Sequence, residues 1–350
     1  MSLFIILKCL VLLLSSAVAL FLLIRLIGQQ INRRTPEDGI NESLYVDING
    51  TRQWISIYGK NRGNPVLLYL HGGPGASTSS YDYAFTRKWA DVYTVVTWDQ
   101  RYCGKSHGKS QNSTELTLDL MMSDGLQLTK FLLSHLQKDK ITVLGHSWGS
   151  YLGSCLAYFY PEFYDCYIGT GQMVDSYQNE VAFKKEATKW AGNDDNGKKL
   201  VEQLTADVFS TEYLAARNAL MKKYGYDMFA AGTDYNLAAA QVFNPYYSLR
   251  DFYRHIKSNF SVYARFIQSD EFRKLSLFGN VDYQVPFYLV SGDKDYQTNY
   301  LLAQDYFNTV NSPRKKLYVM KDTTHGLLES KSEEFSEILH NIAKEEYTYR

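Results

Sequence analysis

Apolar and polar positions divide the chain into three kinds of stretch. Cys9 to Ile24 holds no charged residue, and Lys8 and Arg25 stand at its ends, where long basic side chains reach the interfaces and extend the run towards the ~20 residues that cross a bilayer. A polar linker from Asn32 to Glu42 follows. Leu44 to Ile48 and Gln53 to Tyr58 then alternate in polarity around Asn49-Gly50, which predicts a two-residue hairpin. Val66–Leu70, Tyr93–Thr97 and Ile141–Leu144 are short, continuously apolar runs, each suited to a strand buried on both faces of a parallel sheet. Between the last two, Leu118 to Leu136 repeats its apolar positions at helical spacing, so strand–helix–strand units with right-handed crossovers are expected.

After Tyr167–Gly169 the strand rhythm stops. Val181–Trp190, Leu200–Tyr224 and Asp251–Phe266 read as helices, with Gly and Asn between them. The rhythm resumes at Phe287–Val290 and Leu317–Met320, and an amphipathic helix from about Ser332 to Lys344 ends the pattern. The organisation read from this is a segment 1–31 that anchors in a membrane or serves as a signal peptide, a sheet domain over 32–172 and 284–350, and a helical insert over 173–283.

The signal-peptide alternative rests on Ala17-Val18-Ala19, a small-x-small pattern, but Leu20 to Ile24 stays apolar beyond it, which favours an anchor. Arg25, Arg33 and Arg34 follow the span and only Lys8 precedes it, which favours a cytoplasmic catalytic domain. Sequons at Asn41, Asn49, Asn112 and Asn259 matter only on the outside of a glycosylating cell. The 350 residues carry 37 Lys and Arg against 37 Asp and Glu, so no basic excess attracts nucleic acid and no nucleic-acid partner is expected. Four cysteines, Cys9, Cys103, Cys155 and Cys166, show neither a disulfide framework nor metal-ligand spacing, so neither metal nor cofactor is expected.

The chemistry begins at Gly145-His146-Ser147-Trp148-Gly149. A G-x-S-x-G between a strand, Ile141–Leu144, and a helix, Tyr151–Tyr160, turns the chain sharply and presents the serine hydroxyl at the strand's end. A serine is a poor nucleophile near neutral pH and needs a base and an orienter, expected in the order Ser, acid, His on loops after later strands. Asp295, just after Phe287–Val290, fits the acid, with Asp293 as its rival. His325, after Leu317–Met320, fits the base, while His340 falls on the terminal helix. Other roles for these residues are a helix cap near Gln297 for Asp295 and a plain loop position for His325. Charge developing on a carbonyl oxygen needs donors, which the Trp148 N–H and, from His71-Gly72-Gly73-Pro74-Gly75 after Val66–Leu70, the Gly73 N–H can supply.

His71–Gly75, Trp98-Asp99-Gln100-Arg101 continuing to Gly104-Lys105-Ser106, and Gly145–Ser150 together resemble the proline iminopeptidase family of α/β-hydrolase serine peptidases. The resemblance implies an α/β-hydrolase fold, its mostly parallel sheet carrying an inserted helical cap; the one N-terminal membrane helix that precedes it is read from the apolar run Cys9–Ile24. It also implies a Ser147–His325–Asp295 triad, an oxyanion hole lined by Gly73 and Trp148, and release of an N-terminal residue from short peptides. The chain has Tyr102-Cys103 where the family has Gly, and its cap lacks the family's W-x-x-W-E segment, whose acid holds the substrate ammonium. Carboxylates that remain for that task are Glu180, Glu186, Glu202, Glu212 and Glu329, with Glu329 the first candidate and Glu212 the second.

Three functions follow. A membrane-anchored aminopeptidase acting on a small peptide needs a carboxylate facing the cap cavity. A carboxylesterase or lipase-like hydrolase taking an acyl substrate needs an apolar acyl pocket instead, which a cap rich in Tyr and Phe could supply. A non-enzymatic binding protein on the same fold is disfavoured by the intact reactive motifs.

Overall fold

The computed structural model describes residues 3–108, 115–205, 207–256 and 260–347; the sequons at Asn112 and Asn259 lie outside them. Eight strands form one sheet: β1 (Ile40–Ile48), β2 (Thr51–Gly59), β3 (Val66–Leu70), β4 (Thr94–Asp99), β5 (Ile141–His146), β6 (Tyr164–Thr170), β7 (Phe287–Gly292) and β8 (Lys315–Met320), in the order β1-β2-β4-β3-β5-β6-β7-β8. The β1–β2 hairpin turns through Asn49 and Gly50, both at positive φ (45° and 72°), as a two-residue turn of matching twist requires. β2 pairs antiparallel with β4; from β4 to β8 the pairing is parallel throughout. Every residue of β3, β4, β5, β6 and β7 is buried, so each of these strands is covered on both faces, as their largely apolar runs suit.

The layers follow from helix faces. Helix Leu118–Leu136 starts where the Thr117 side chain accepts the Leu120 N–H (3.1 Å), and it ends at Gln137 in the left-handed region. It buries Met121, Gly125, Leu128 and Leu132 at helical spacing against one face of the sheet. Gly125 lets it approach helix Trp148–Phe159, since a Cβ there would stand 2.8 Å from Leu156 Cδ1. Trp89 and, from the last helix Ser332–Tyr347, Phe335, Leu339 and Ile342 cover the other face.

The segment between β6 and β7 is helical: Ser176–Ala191, Asp195–Glu202, Thr211–Tyr224, Leu237–Val242, Leu249–Ile256, Phe260–Ile267 and Asp270–Arg273. Its two ends are stitched together, with Ser176 N–H donating to Leu275 O (3.0 Å) and Leu277 N–H to Val174 O (2.8 Å), so the chain leaves and rejoins the sheet domain at one point. Phe183, Leu204, Tyr213, Leu220 and Met221 give it a core of its own. The single helix expected over Leu200–Tyr224 is two helices. Ser210 caps the second by accepting the Tyr213 N–H, and an Arg273–Asp207 ion pair (2.7 Å) ties down the connection. Helix Leu3–Asn32 leads the chain, its residues 4–24 exposed and its most apolar 18-residue stretch of mean hydropathy 2.7.

Candidate active site

Ser147 sits at the junction of β5 and helix Trp148–Phe159 with φ 57° and ψ −123°, a conformation a non-glycine residue holds only when its surroundings enforce it. The enforcement is visible on both sides. A Cβ on Gly145 would come 2.1 Å from Gly149 O, and one on Gly149 would come 2.1 Å from Leu70 O, so neither position admits a side chain. Ser147 N–H donates to Thr170 O (2.9 Å), fixing the turn to the next strand.

The loops after β7 and β8 bring Asp295 and His325 together. Asp295 Oδ2 accepts from His325 Nδ1 at 2.8 Å, and both side chains are buried. Asp295 Oδ1 accepts the N–H groups of Gln297 (3.0 Å) and Thr298 (3.1 Å), while Thr298 Oγ1 donates to Oδ2 (3.1 Å). A carboxylate so held keeps its acceptor at Nδ1, which assigns the imidazole proton there and leaves Nε2 as the basic nitrogen. Asp293 instead faces Lys321 at 3.8 Å and the Thr323 N–H, away from His325. His340 bonds the Ser336 carbonyl within its own helix. Gly171, at φ 49°, passes so close to His325 that a Cβ would stand 2.9 Å from Cε1. The His146 ring lies 4.7 Å from the His325 ring; burial first, and the His325 charge second, push its pKa well down, so it adds no positive charge beside His325.

The loop after β3 approaches the same serine, since a Cβ on Gly72 would stand 3.0 Å from Ser147 Cβ. Gly73 adopts φ 122° and precedes a cis proline, Pro74. Trp148 is the first helical residue after Ser147, where a backbone N–H has no partner within the helix. A buried network supports both. Trp148 Nε1 donates to Gln100 Oε1 (3.1 Å), Gln100 Nε2 donates to His71 O (3.0 Å), and His71 Nε2 accepts the Gln100 N–H (3.2 Å) while Nδ1 bonds Gly72 O (2.8 Å). Burial lowers the His71 pKa, and the pairing requires the neutral ring. Tyr102 takes φ 66°, the left-handed region, where the resembled family carries glycine.

A cavity of about 260 Å³ opens over Ser147 and Gly73, with Thr298, Met173, Phe209 and Phe272 in its lining. Its carboxylate is Glu180, from cap helix Ser176–Ala191. Glu180 Oε2 accepts from Arg217 Nε (2.8 Å) and the Tyr213 hydroxyl (3.1 Å), and Oε1 accepts from Asn179 Nδ2 (2.9 Å). The remaining donors of Arg217 go to Gln297 Oε1 (2.9 Å), Gln297 O (2.9 Å) and Tyr296 O (3.3 Å), so the guanidinium ties the cap to the loop that carries Asp295.

The two carboxylates first expected to face the substrate do not line this cavity. Glu212 lies exposed in the first turn of helix Thr211–Tyr224, beside the buried face that carries Tyr213 and Arg217. Glu329 is buried elsewhere, with Oε1 accepting from the Tyr81 hydroxyl (3.5 Å) and Oε2 without a hydrogen bond among the described residues; burial pushes its pKa up to about 7. Placing Glu329 four residues after His325 starts a new turn, Leu327–Ser330, that carries it behind the loop and out of the cavity.

The family model described as the alpha/beta hydrolase fold matches residues 65–332. The chain belongs to the alpha/beta hydrolase fold family. It is 25% identical over 296 residues to the probable aminopeptidase YbaC of Bacillus subtilis (strain 168), a match covering 80% of this chain and 89% of that one. A shorter match, 36% identical over 109 residues, joins it to a proline iminopeptidase of Neisseria gonorrhoeae and covers 30% of this chain and 33% of that one. The crystal structure of a proline iminopeptidase from Mycobacterium smegmatis shares the fold, with a TM-score of 0.62 at 17% identity over 87% of this chain and 98% of that one.

For an alpha/beta hydrolase, the strand-end residues Ser147, Asp295 and His325 are the part of this site that sequence reasoning reaches. Thr298 and Gln297, which hold Asp295 and Arg217, carry no signal beyond following the acid closely. Arg217 lies 37 positions from Glu180, and helical periodicity alone gives no reason to pair them.

Proposed function

We propose that the protein is a serine hydrolase acting as a proline iminopeptidase-like aminopeptidase on short peptides, held to a membrane by helix Leu3–Asn32. The observation that carries the reading is that Ser147 and a cap carboxylate, Glu180, line one cavity together with Thr298, which holds the Asp295 carboxylate bonded to His325. Relatives named aminopeptidase and proline iminopeptidase support it.

In this reading His325 Nε2 takes the Ser147 proton as Oγ attacks the scissile carbonyl, and Asp295 stabilises the imidazolium through Nδ1–H. The N–H groups of Gly73 and Trp148 receive the charge that forms on the carbonyl oxygen, each such donor typically being worth about 10²–10³ in rate. Collapse of the tetrahedral adduct breaks the peptide bond, and His325 returns its proton to the leaving amine. Water, deprotonated by the same nitrogen, then releases the acyl group from Ser147. The substrate's ammonium group sits against Glu180, whose Oε1 accepts from Asn179 and has acceptor capacity to spare, while Arg217 and Tyr213 fix the carboxylate's direction. Glu180 thereby takes the role first given to Glu329 and Glu212.

The apolar lining from Phe209, Phe272, Leu214 and Ile267 favours a second reading, an esterase for small acyl groups. Purified full-length protein assayed side by side on proline arylamide, other aminoacyl arylamides and short-chain acyl esters separates the two. The aminopeptidase reading expects the aminoacyl arylamides to be turned over with the higher kcat/KM; ester hydrolysis without any arylamide turnover overturns it.

A further inference from the structure

The N-terminal helix does two different things along its length. Residues 4–24 are exposed, and 22 residues from Leu3 to Ile24 span about 33 Å, close to the thickness of a bilayer's hydrocarbon core. From Arg25 onward one face of the same helix becomes polar and buries itself on the cap. Arg25 donates to Tyr247 O (2.6 Å) and Val242 O (3.2 Å), and Gln29 donates to Asn244 O and Tyr247 O (both 2.8 Å). Asn32 donates to Phe243 O (2.9 Å) and Arg33 to Pro245 O (2.6 Å). All these carbonyls belong to one stretch, Val242–Tyr247. Gly28 permits the close approach, since a Cβ there would stand 2.2 Å from the Phe243 ring.

The opposite face stays mostly apolar. Leu26, Ile27 and Ile31 remain 53–56% exposed around one exposed polar residue, Gln30, and Ile31 lies about 10 Å past Ile24 along the helix. A helix that is polar towards protein and apolar outward at the same height has hydrocarbon or its boundary on the outward side, so the cap stretch it grips stands at headgroup depth. The next element along this rim is helix Leu249–Ile256. Its inner side meets the anchor, with the Arg25 guanidinium 5.5 Å from the Phe252 ring and Phe252 packed 5.0 Å from Tyr247. Its outer side shows Leu249 (56% exposed) and Tyr253 (63% exposed) four residues apart, beside Arg250 and Arg254, also exposed and four residues apart. Asp251, the acid of this helix, is turned back to the Ser248 N–H (2.9 Å). An apolar pair flanked by a cationic pair is the pattern of a helix lying in a membrane interface.

We propose that helix Leu249–Ile256 is a second, interfacial membrane contact, with Leu249 and Tyr253 entering the boundary between headgroups and acyl chains and Arg250 and Arg254 pairing with anionic lipid phosphates. This rests on the reading of Leu3–Ile24 as a membrane span. The anchor is then a clamp that seats the cap in the bilayer surface, not a tether from which the hydrolase domain swings.

The test uses the full chain in vesicles of phosphatidylcholine and phosphatidylglycerol, with Cys9→Ser removing the exposed thiol and Cys103, Cys155 and Cys166 shielded by burial. A nitrobenzoxadiazole reporter is placed in turn by Leu13→Cys, Tyr253→Cys and Lys140→Cys, the last at the start of β5, the opposite end of that strand from Ser147. Lipids spin-labelled in the upper acyl chain serve as quenchers. The reporter at 253 is expected to be quenched at least about twofold more than that at 140, with a blue-shifted emission. Adding Arg250→Glu and Arg254→Glu is expected to reduce that difference. Strong quenching at 13 with equal, weak quenching at 253 and 140 overturns the interfacial contact and leaves the anchor standing. Absence of quenching at 13 overturns the anchor itself, and the contact with it. Unchanged quenching at 253 in the arginine variants overturns their pairing with phosphate.

Discussion

The sheet and the cap place functional groups by different means. On the sheet, Ser147 stands directly after a strand and Asp295 and His325 in the loops that follow later strands, and local geometry sets them: glycines that admit no Cβ at 145 and 149, and backbone N–H groups that hold Asp295. In the cap, Glu180 projects from the middle of a helix, and its direction is set by Arg217 on another helix and, through Arg217, by the loop at Gln297. On the proposed function, reactivity resides in strand ends whose position the hydrogen-bonded sheet enforces, and selection of the substrate in a buried ion pair that a small shift of one helix would redirect.

The largest effect should come from the sheet side. Ser147→Ala is expected to abolish labelling by a fluorophosphonate probe and to lower turnover by about 10⁴-fold or more, because the covalent step needs the hydroxyl. Labelling that survives in this variant would show that the reactive group is elsewhere. His325→Ala should cost nearly as much, since the members of such a unit are not additive, and Asp295→Asn somewhat less. Asp293→Asn, whose carboxylate faces Lys321, should leave kcat within about threefold of the wild type; the reverse ranking of the two aspartates in steady-state assays would move the acid by two positions.

On the cap side the expected effect is smaller and of another kind. Glu180→Gln should raise KM for aminoacyl arylamides, lower kcat/KM by about 10–100-fold, and leave the rate of fluorophosphonate labelling close to that of the wild type. Because the change also strips Arg217 of its counter-charge, thermal unfolding should be followed alongside, and Glu180→Asp, which keeps the charge, should recover part of the affinity. Equal losses of labelling and kcat/KM would mean that Glu180 supports the reactive serine, which erases the division between sheet and cap.

Glu329 sharpens the contrast as a buried carboxylate with no ion pair among the described residues. Its folded-state pKa, about 7, lies above the ordinary value of 4.5, so the protonated form contributes stability that is complete below about pH 4.5 and lost as pH rises through 7. Glu329→Gln removes the titration. The variant should gain about 1–3 kcal/mol relative to the wild type on going from pH 4.5 to pH 8, read from denaturant midpoints. A pH-independent difference would place the ionised form comfortably in the fold.

How much of this was legible beforehand follows the same division. The bounds of β3, the Asn49-Gly50 turn and helix Leu118–Leu136 match their sequence patterns, because a strand buried on both faces and a capped amphipathic helix are specified by their own residues. The order serine, acid, histidine was readable because each follows a strand. The break between Glu202 and Thr211 was not read, although Ser210, which caps the second helix by accepting the Tyr213 N–H, marks it in the sequence. Nor was the placing of Glu180, instead of Glu329 or Glu212, in the cavity lining, which depends on contacts between helices distant in sequence. Arg25 and Arg33 read as charges flanking a membrane span, yet both are spent on carbonyls of the cap, so counting them towards orientation overstates their freedom.

The account's central claim, that a strand-end serine does the chemistry while a cap carboxylate demands a charged amine, is tested most directly by two substrates differing in one acetyl group. Proline arylamide and N-acetylproline arylamide present the same scissile bond, and only the first carries the ammonium for Glu180. The account predicts that acetylation lowers kcat/KM of the native protein by about 10³-fold or more, the scale seen when a site's buried polar group is left without its partner. Equal hydrolysis of the two would contradict it and give the cavity to acyl esters.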